Sequence, residues 1–586
     1  MLMPTAWPLF VWFYLGALLA AVAPDRLRGP LLLPVPVVSA LCLWLGEPTW
    51  ESLWLLDFEL QPWRQDRLSL LFGWLFHLAS FLGLLFSLHL RDRGQQVAML
   101  LYMGSALGAV FAGDLLSLFV HWEMLALSSV FLIWARGSER AYRAGLRYLL
   151  VQVASAMLLL AGSLLVLRDR GSLAFGYIGL DGLGSWLIFF AFGIKAGFPL
   201  LHTWLTDAYP EATPTGTVIL SAFTTKVAIY ALVRGYPGTQ LLVYIGALMT
   251  CFPIFYAVIE NDLRRVLAYS LINQLGFMVC GVGIGTPLAL NGTVSHAFAH
   301  VIYKGLLFMA MGAVLVQTGK IKGSELGGLY KTMPKTAGLC IVGAASISAF
   351  PLFSGFVSKS MIISALLQQY EQGQVVYQWV WLVLLFASAG VFHHAGIKVP
   401  YFAFYAHDSG IRASEPRWNM LLAMTLAALL CVLIGCYPQW LYSLLPWSLD
   451  YDPYTVSHVL SQLQLLFFAA LAFAWLNQAG IYPPEQRGVN LDADWAWRHW
   501  LRQRLSRLEQ QVWPGWIGWQ RRWRRRLQRL IVHSARRHGL SRRGRRVLDP
   551  AVGQHGFGRL LGRKPTSDML MWVALLLLVF VVLSNI

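Results

Sequence analysis

Charge is scarce in this sequence. Only 13% of its 586 residues are Asp, Glu, Lys or Arg, and the acids number just 28. Ordinary soluble domains carry about 25% charged residues, so a water-exposed globule of this size is excluded. Cysteine is scarce too. The six (Cys42, Cys251, Cys280, Cys340, Cys431, Cys436) show no C-x-x-C, no haem-attachment spacing and no clustering with histidine. They read as small core hydrophobes rather than as a metal or iron–sulfur ligand set. No nucleotide loop, flavin fingerprint or H-E-x-x-H is present, so no cofactor and no metal is expected. A catalytic carboxylate pair in a long loop is also missing, which argues against a membrane enzyme acting on lipid or glycan. The first apolar run, 6–23, ends in Ala21-Val22-Ala23 like a signal-peptidase site, yet no basic residue precedes it and Pro24 follows. A retained first span is the expectation.

What is present is hydrophobic: 57% of the residues, in runs of about twenty. These runs predict membrane spans at 6–23, 30–47, 68–90, 97–113, 115–135, 146–167, 184–206, 214–234, 241–258, 265–285, 293–317, 335–369, 376–405, 420–442, 460–479 and 568–584. The expected fold is therefore an all-α polytopic membrane protein of about sixteen transmembrane helices. With the N-terminus outside, the basic groups Arg26/Arg28, Arg91/Arg93, Arg136 to Arg147, Arg264/Arg265, Lys320 to Lys335 and Arg412/Arg417 all fall in the cytoplasm. The cytoplasmic Lys/Arg bias satisfies the positive-inside rule, and the acid-rich connector with Glu47, Glu51, Asp57 and Glu59 falls outside.

The stretch Gly193 to Arg234 organises the chain. It places Lys195 and Lys226 in apolar sequence, and Pro199 breaks the first of its two helices. An ammonium group at membrane depth costs about 3 kcal/mol or more. Freed carbonyls at a proline break are tolerated only in a cavity or a protein interior. The overlong 335–369 segment carries a second break, Ala349 to Phe356, followed by Lys359. Two interrupted helices, each with a lysine, predict a repeat pair around an ion path. Glu123 lies mid-span in 115–135, with Asp114 nearer its end, and Lys195 is the natural partner for Glu123. His296, His300 and Lys304 recur at i, i+4 and i+8 on one helix face, a spacing suited to proton relay.

Most of the net charge of +18 comes from 495–548. There Leu501, Leu505, Leu508, Val512, Trp516, Trp519, Trp523, Leu527 and Leu530 form one apolar stripe among arginines. That pattern predicts a lateral amphipathic helix on the membrane's cytoplasmic side rather than a nucleic-acid-binding tract.

GIKAGFPLLHTWLTDAYPEATPT, LLSLFVHWEM, DLRRVLAYSLINQLGFM, SHAFAHVIYKGLLFMAMG and FPLFSGFVSK together resemble the antiporter-like subunits of respiratory complex I and of Mrp-type cation/proton antiporters, over about residues 60–480. HDSGIRASEPRWNM and YPPEQRGVNLDADWAWR look most like the long D-type member of the Mrp antiporters. The resemblance implies a hydrated midplane axis: Glu123 with Lys195, then Lys226, then His300 and Lys304, then Lys359. Lys359 differs from branches that carry glutamate at the second break.

The resemblance implies N-terminal helices over 1–96, a first antiporter-like repeat over 97–234 and an inverted second one over 241–405. C-terminal core helices over 420–479, the lateral helix over 495–548 and a final span over 568–584 complete it. The implied partners are homologous and small membrane subunits, membrane lipids, protons and monovalent cations, without nucleic acid. The implied location is a bacterial inner membrane. The implied function is Na+/H+ exchange by a multisubunit complex. The alternatives are a proton-pumping subunit of complex I or of a membrane hydrogenase, with electron transfer in other subunits, and a coupling subunit for another solute such as inorganic carbon.

Overall fold

The computed structural model describes residues 7–46, 53–55, 58–448, 450–482, 490–501, 503–504 and 506–507. The chain is mostly helical. The helices are α1 (Leu9–Val22), α2 (Asp25–Leu32), α3 (Pro34–Leu45), α4 (Arg67–Phe86), α5 (Arg93–Phe111), α6 (Leu115–Trp134) and α7 (Glu139–Arg170). Next come α8 (Leu183–Ala196), α9 (Thr203–Ala208), α10 (Pro214–Ala222), α11 (Thr224–Gly235), α12 (Gln240–Ile259), α13 (Leu263–Ile284) and α14 (Pro287–Thr318). The series closes with α15 (Pro334–Ile347), α16 (Ser354–Glu371), α17 (Val376–Val391), α18 (Trp418–Cys436), α19 (Pro438–Tyr442) and α20 (Val456–Gln478). A short hairpin, β1 (Leu53–Leu55) with β2 (Phe58–Leu60), interrupts the acid-rich connector.

Among the described residues, eleven helices are long and apolar enough to cross a membrane, and α1, α8 and α15 are shorter apolar helices. Boundaries differ from the hydropathy reading where amphipathic turns extend an apolar core. α7 begins at Glu139, so Arg140, Arg143 and Arg147 ride on its first turns rather than in a loop. Met1–Asp492 form one compact unit. In the second, Ala493–Ile586, the described part includes a π-helical turn at Ala496–Leu501. The expected lateral helix beyond residue 507 and the expected span at 568–584 lie outside the described residues.

Burial sorts the helices. α13 and the α10–α11 pair are wholly enclosed and α14 is 89% enclosed, whereas only 11% of α20 is covered. α14 packs on α10, α13, α15, α16 and α18, so its polar face points into protein. Close approach of α12 and α13 depends on small residues. An added Cβ at Gly246 would overlap the Cys280 backbone nitrogen, and one at Gly283 would overlap that of Val243.

The acids are largely spent on structure. Asp66, Asp92, Asp114 and Asp262 accept backbone N–H bonds as helix N-caps. In the loop after α17, Asp408 accepts from Arg412, Lys331 and the Gly410 N–H, which hold its carboxyl well below the usual carboxylate range. A depressed carboxylate stabilises above its unfolded pKa of about 3.9 and loses that contribution as pH falls toward the folded value. Asp408→Asn should therefore speed amide exchange over residues 407–412 at pH 7, and the difference from the native chain should shrink below about pH 4.

Both expected breaks are present and share one geometry. α8 ends at Ala196 and α15 at Ile347, each followed by a Phe-Pro-Leu turn. Leu201 N–H donates to the Phe198 carbonyl at 2.9 Å, and Phe353 N–H to that of Phe350 at 3.1 Å. Leu200 and Leu352 sit at φ +68° and +71°, costly for a side-chain-bearing residue. Gly355, in the first turn of α16, then passes against the end of α15, where an added Cβ would overlap the Ser346 carbonyl oxygen. Backbone cannot move aside to make that room. Gly355→Ala should cost about 3 kcal/mol or more, read as loss of membrane-inserted protein and a lower melting temperature in detergent.

Candidate functional site: a buried lysine and histidine chain

Lys195, Lys226, Lys304 and Lys359 come from α8, α11, α14 and α16, and all four are fully buried. Helix ends supply the acceptors for two of them. Lys226 Nζ donates to the Ser221 carbonyl at 2.7 Å and to Thr225 Oγ1 at 3.3 Å. Lys359 Nζ donates to the carbonyl of Ile347, the last residue of α15, at 2.9 Å. The last four carbonyls of a helix lack an internal partner and carry the negative end of its dipole, so they hold a cation without a carboxylate. Lys195 Nζ donates instead to the Trp122 carbonyl at 2.6 Å and lies 4.5 Å from the Trp122 ring.

Glu123 and Lys195 attract each other but are not in contact. Glu123 Oε2 has no hydrogen-bond partner, and the residue is half-buried between exposed Val120 and Leu127. The contact expected from the sequence between these two residues is therefore not made in this structure. Asp114 takes no part: its carboxylate caps α6 through Ser117 and accepts from Gln61 N–H.

His296, His300 and Lys304 share the enclosed face of α14. His296 Nδ1 is 2.9 Å from Ser358 Oγ, and its other nitrogen is 3.4 Å from the Tyr303 hydroxyl. Tyr303 donates to Gln274 Oε1 at 2.9 Å. Both nitrogens of His300 and the Lys304 ammonium have no protein partner. The charges of Lys226, Lys304, His296 and Lys359 all reach His300, so these five groups form one electrostatic cluster. Lys195 interacts with Glu123.

Several members were not read from the sequence. Lys398, fully buried, donates to the carbonyls of Val258 at 2.6 Å and Glu260 at 2.7 Å at the end of α12. His394, one turn earlier, interacts with both Lys304 and Lys398. The His393-His394 pair and Lys398 inside an apolar stretch were the available signal. Their segment continues α17 as π-helical turns at Phe392–Lys398 and Tyr401–Tyr405. Arg264 at the start of α13 is buried, and it donates to the carbonyls of Tyr209, Pro210, Ala212 and Thr213 and to the Thr217 hydroxyl. It thereby fixes the connector between the first break and α10. Asp492 accepts from the Tyr269 hydroxyl at 2.7 Å and pairs with His202 at 3.2 Å, beside the first break.

Buried lysines and histidines strung across broken helices define a class, the polytopic membrane proteins that move ions through a polar interior. The family profile described as "NADH:quinone oxidoreductase/Mrp antiporter, TM" matches residues 112–386, and the chain belongs to that family. NADH-quinone oxidoreductase subunit N of Desulforudis audaxviator is 31% identical over 65% of this chain and 79% of its own. The D-type member of the Na(+)/H(+) antiporter of Alkalihalophilus pseudofirmus is 30% identical over 49% of this chain and 62% of its own. The solved Mrp complex of Dietzia sp. DQ12-45-1b contains a chain that superposes with a TM-score of 0.73 at 25% identity, over 85% of this chain and 59% of that one. The present chain thus spans less than two thirds of the length of two of these three. It is an antiporter-like membrane subunit of the Mrp and complex I family.

Proposed function

We propose that this chain is the proton-translocating subunit of a multisubunit Na+/H+ antiporter of the Mrp type. Protons would pass along Glu123, Lys195, Lys226, His296, His300, Lys304 and Lys359. One observation carries the reading: Lys226, Lys304 and Lys359 are fully buried lysines that touch no carboxylate among the described residues. A structural ion pair would be compensated, since an uncompensated buried charge costs several kcal/mol. Groups held at that cost inside a membrane are kept for transport. The path would continue through His394, which interacts with both Lys304 and Lys398, to Lys398.

The same reading places about sixteen spans in a bacterial inner membrane with the N-terminus outside. It assigns inverted repeats to 97–234 and 241–405, each with a Phe-Pro-Leu break, flanked by helices over 1–96 and 420–479. A lateral helix over 495–548 would strap the chain to neighbouring membrane subunits before a last span at 568–584.

The test is cation-dependent collapse of a pH gradient in everted vesicles that contain the assembled complex. Adding Na+ should dissipate the gradient. A redox-driven pump is the second reading, favoured by the likeness to the quinone oxidoreductase subunit. Proton movement that ignores Na+ and requires an electron donor would establish that reading instead.

A further inference from the structure

Lys226 and Lys359 both act on His300, whereas Lys195 is attracted by Glu123. A proton route between Lys195 and Lys226 needs polar groups in the interval between them. The α7 helix faces it. Tyr148, Gln152 and Ser155 lie at i, i+4 and i+7 on one side of α7, and none is more than 1% exposed.

The two ends of this stripe touch the two lysine sites. Ser155 Oγ donates to the Ala191 carbonyl at 2.7 Å, one turn before Lys195. It also accepts from the indole of Trp122 at 3.0 Å, the residue whose carbonyl holds Lys195. At the other end the Tyr148 hydroxyl lies 2.7 Å from Ser129 Oγ and interacts with the Thr224 hydroxyl. Thr224 Oγ1 is 2.6 Å from the Tyr102 hydroxyl, and the next residue, Thr225, contacts Lys226 Nζ.

Gln152 sits in the middle. Neither its Nε2 nor its Oε1 has a hydrogen-bond partner in the protein. Buried amides in membrane helices normally bond across an interface and hold helices together. Gln152 does none of this, and a buried polar group left without a partner destabilises the fold. Its free donors and acceptor suit a bound water.

Resting on the proton-transport reading above, we infer that Ser155, Gln152, Tyr148, Ser129, Thr224 and Tyr102 form an uncharged relay carrying protons between Lys195 and Lys226. The Lys195 ammonium gives up one proton to the line, each hydroxyl or water takes one and releases another, and the Lys226 amine accepts the last. The Gln152 amide keeps its own protons and orients the line.

Proton flux in everted vesicles with the assembled complex tests this, using Gln152→Leu, Tyr148→Phe and the pair Thr224→Val and Thr224→Ser. Gln152→Leu removes an unsatisfied amide, so assembly should be unchanged or improved while flux falls about tenfold, equivalent to about 1.4 kcal/mol on the barrier. Tyr148→Phe and Thr224→Val should fall similarly, and Thr224→Ser should restore flux. Native flux in assembled Gln152→Leu and Tyr148→Phe overturns the relay. If Gln152→Leu does not assemble, the threonine pair decides: equal flux in Val and Ser overturns it, and a deficit in Val alone supports it. Lys195→Ala, run in parallel, separates the two levels. Lost flux there with native flux in the relay variants rejects the relay only, whereas native flux in Lys195→Ala rejects the transport reading itself.

Discussion

Lys195→Ala should bring cation-dependent proton flux to background, with the complex still assembled. The physical reason lies in the company this lysine keeps. Its ammonium is fully buried, is held by the Trp122 carbonyl and ring, and is attracted by the Glu123 carboxylate. Alanine removes the proton carrier together with a buried cation, and deleting that cation relieves a desolvation cost, so stability should change little. Glu123→Ala should also abolish flux, by a different route. On the proposed mechanism, opening and closing of the Glu123–Lys195 pair would change how strongly Lys195 holds its proton, and without the carboxylate that control would be lost. Glu123→Gln, which keeps the shape and loses the charge, should match the alanine variant. Blue-native gels confirm assembly, and a pH-sensitive dye in everted vesicles reads flux. Native flux in an assembled Lys195→Ala complex would remove this residue from the path.

The sequence showed the two proline breaks because Pro199 and Pro351 advertise them, and it showed the α14 triad because helical periodicity puts His296, His300 and Lys304 in line. A third break, between α10 and α11, was invisible. Nothing in VILSAFTTKVAIY opposes a continuous helix. The chain breaks at Phe223 because tertiary partners take the groups of its ladder. Thr224 N–H bonds to the Tyr102 hydroxyl, and the Leu220 carbonyl accepts from Tyr209 at 2.8 Å. Tyr102 is 122 residues from Thr224 and Tyr209 lies across the connector from Leu220, so no pattern within the span could report them. The break leaves the Ser221 carbonyl for Lys226, and thus creates a site that hydropathy alone reads as a plain span. Asp492 was illegible for the same reason: only folding brings it to His202 and Tyr269.

Lys398 extends the same logic to the far end of the path, where arginine is the informative substitution. Lys398→Arg keeps a positive charge and donors for the α12 end carbonyls of Val258 and Glu260, so the helix terminus stays satisfied and the protein should assemble. A guanidinium does not give up its proton in a protein. A purely structural Lys398 would therefore tolerate arginine and transport would continue. A Lys398 that accepts and releases protons would not, and flux should drop to background despite normal assembly. Lys398→Ala supplies the complementary outcome: it strips the α12 carbonyls of their donor and should cost about 1–3 kcal/mol in stability as well as transport. The corresponding Lys359→Arg should behave like Lys398→Arg if both lie on the path, since Lys359 likewise caps a helix end and its charge reaches His300. Native flux in Lys398→Arg with none in Lys359→Arg would end the route at α16 and leave Lys398 as a brace for α12.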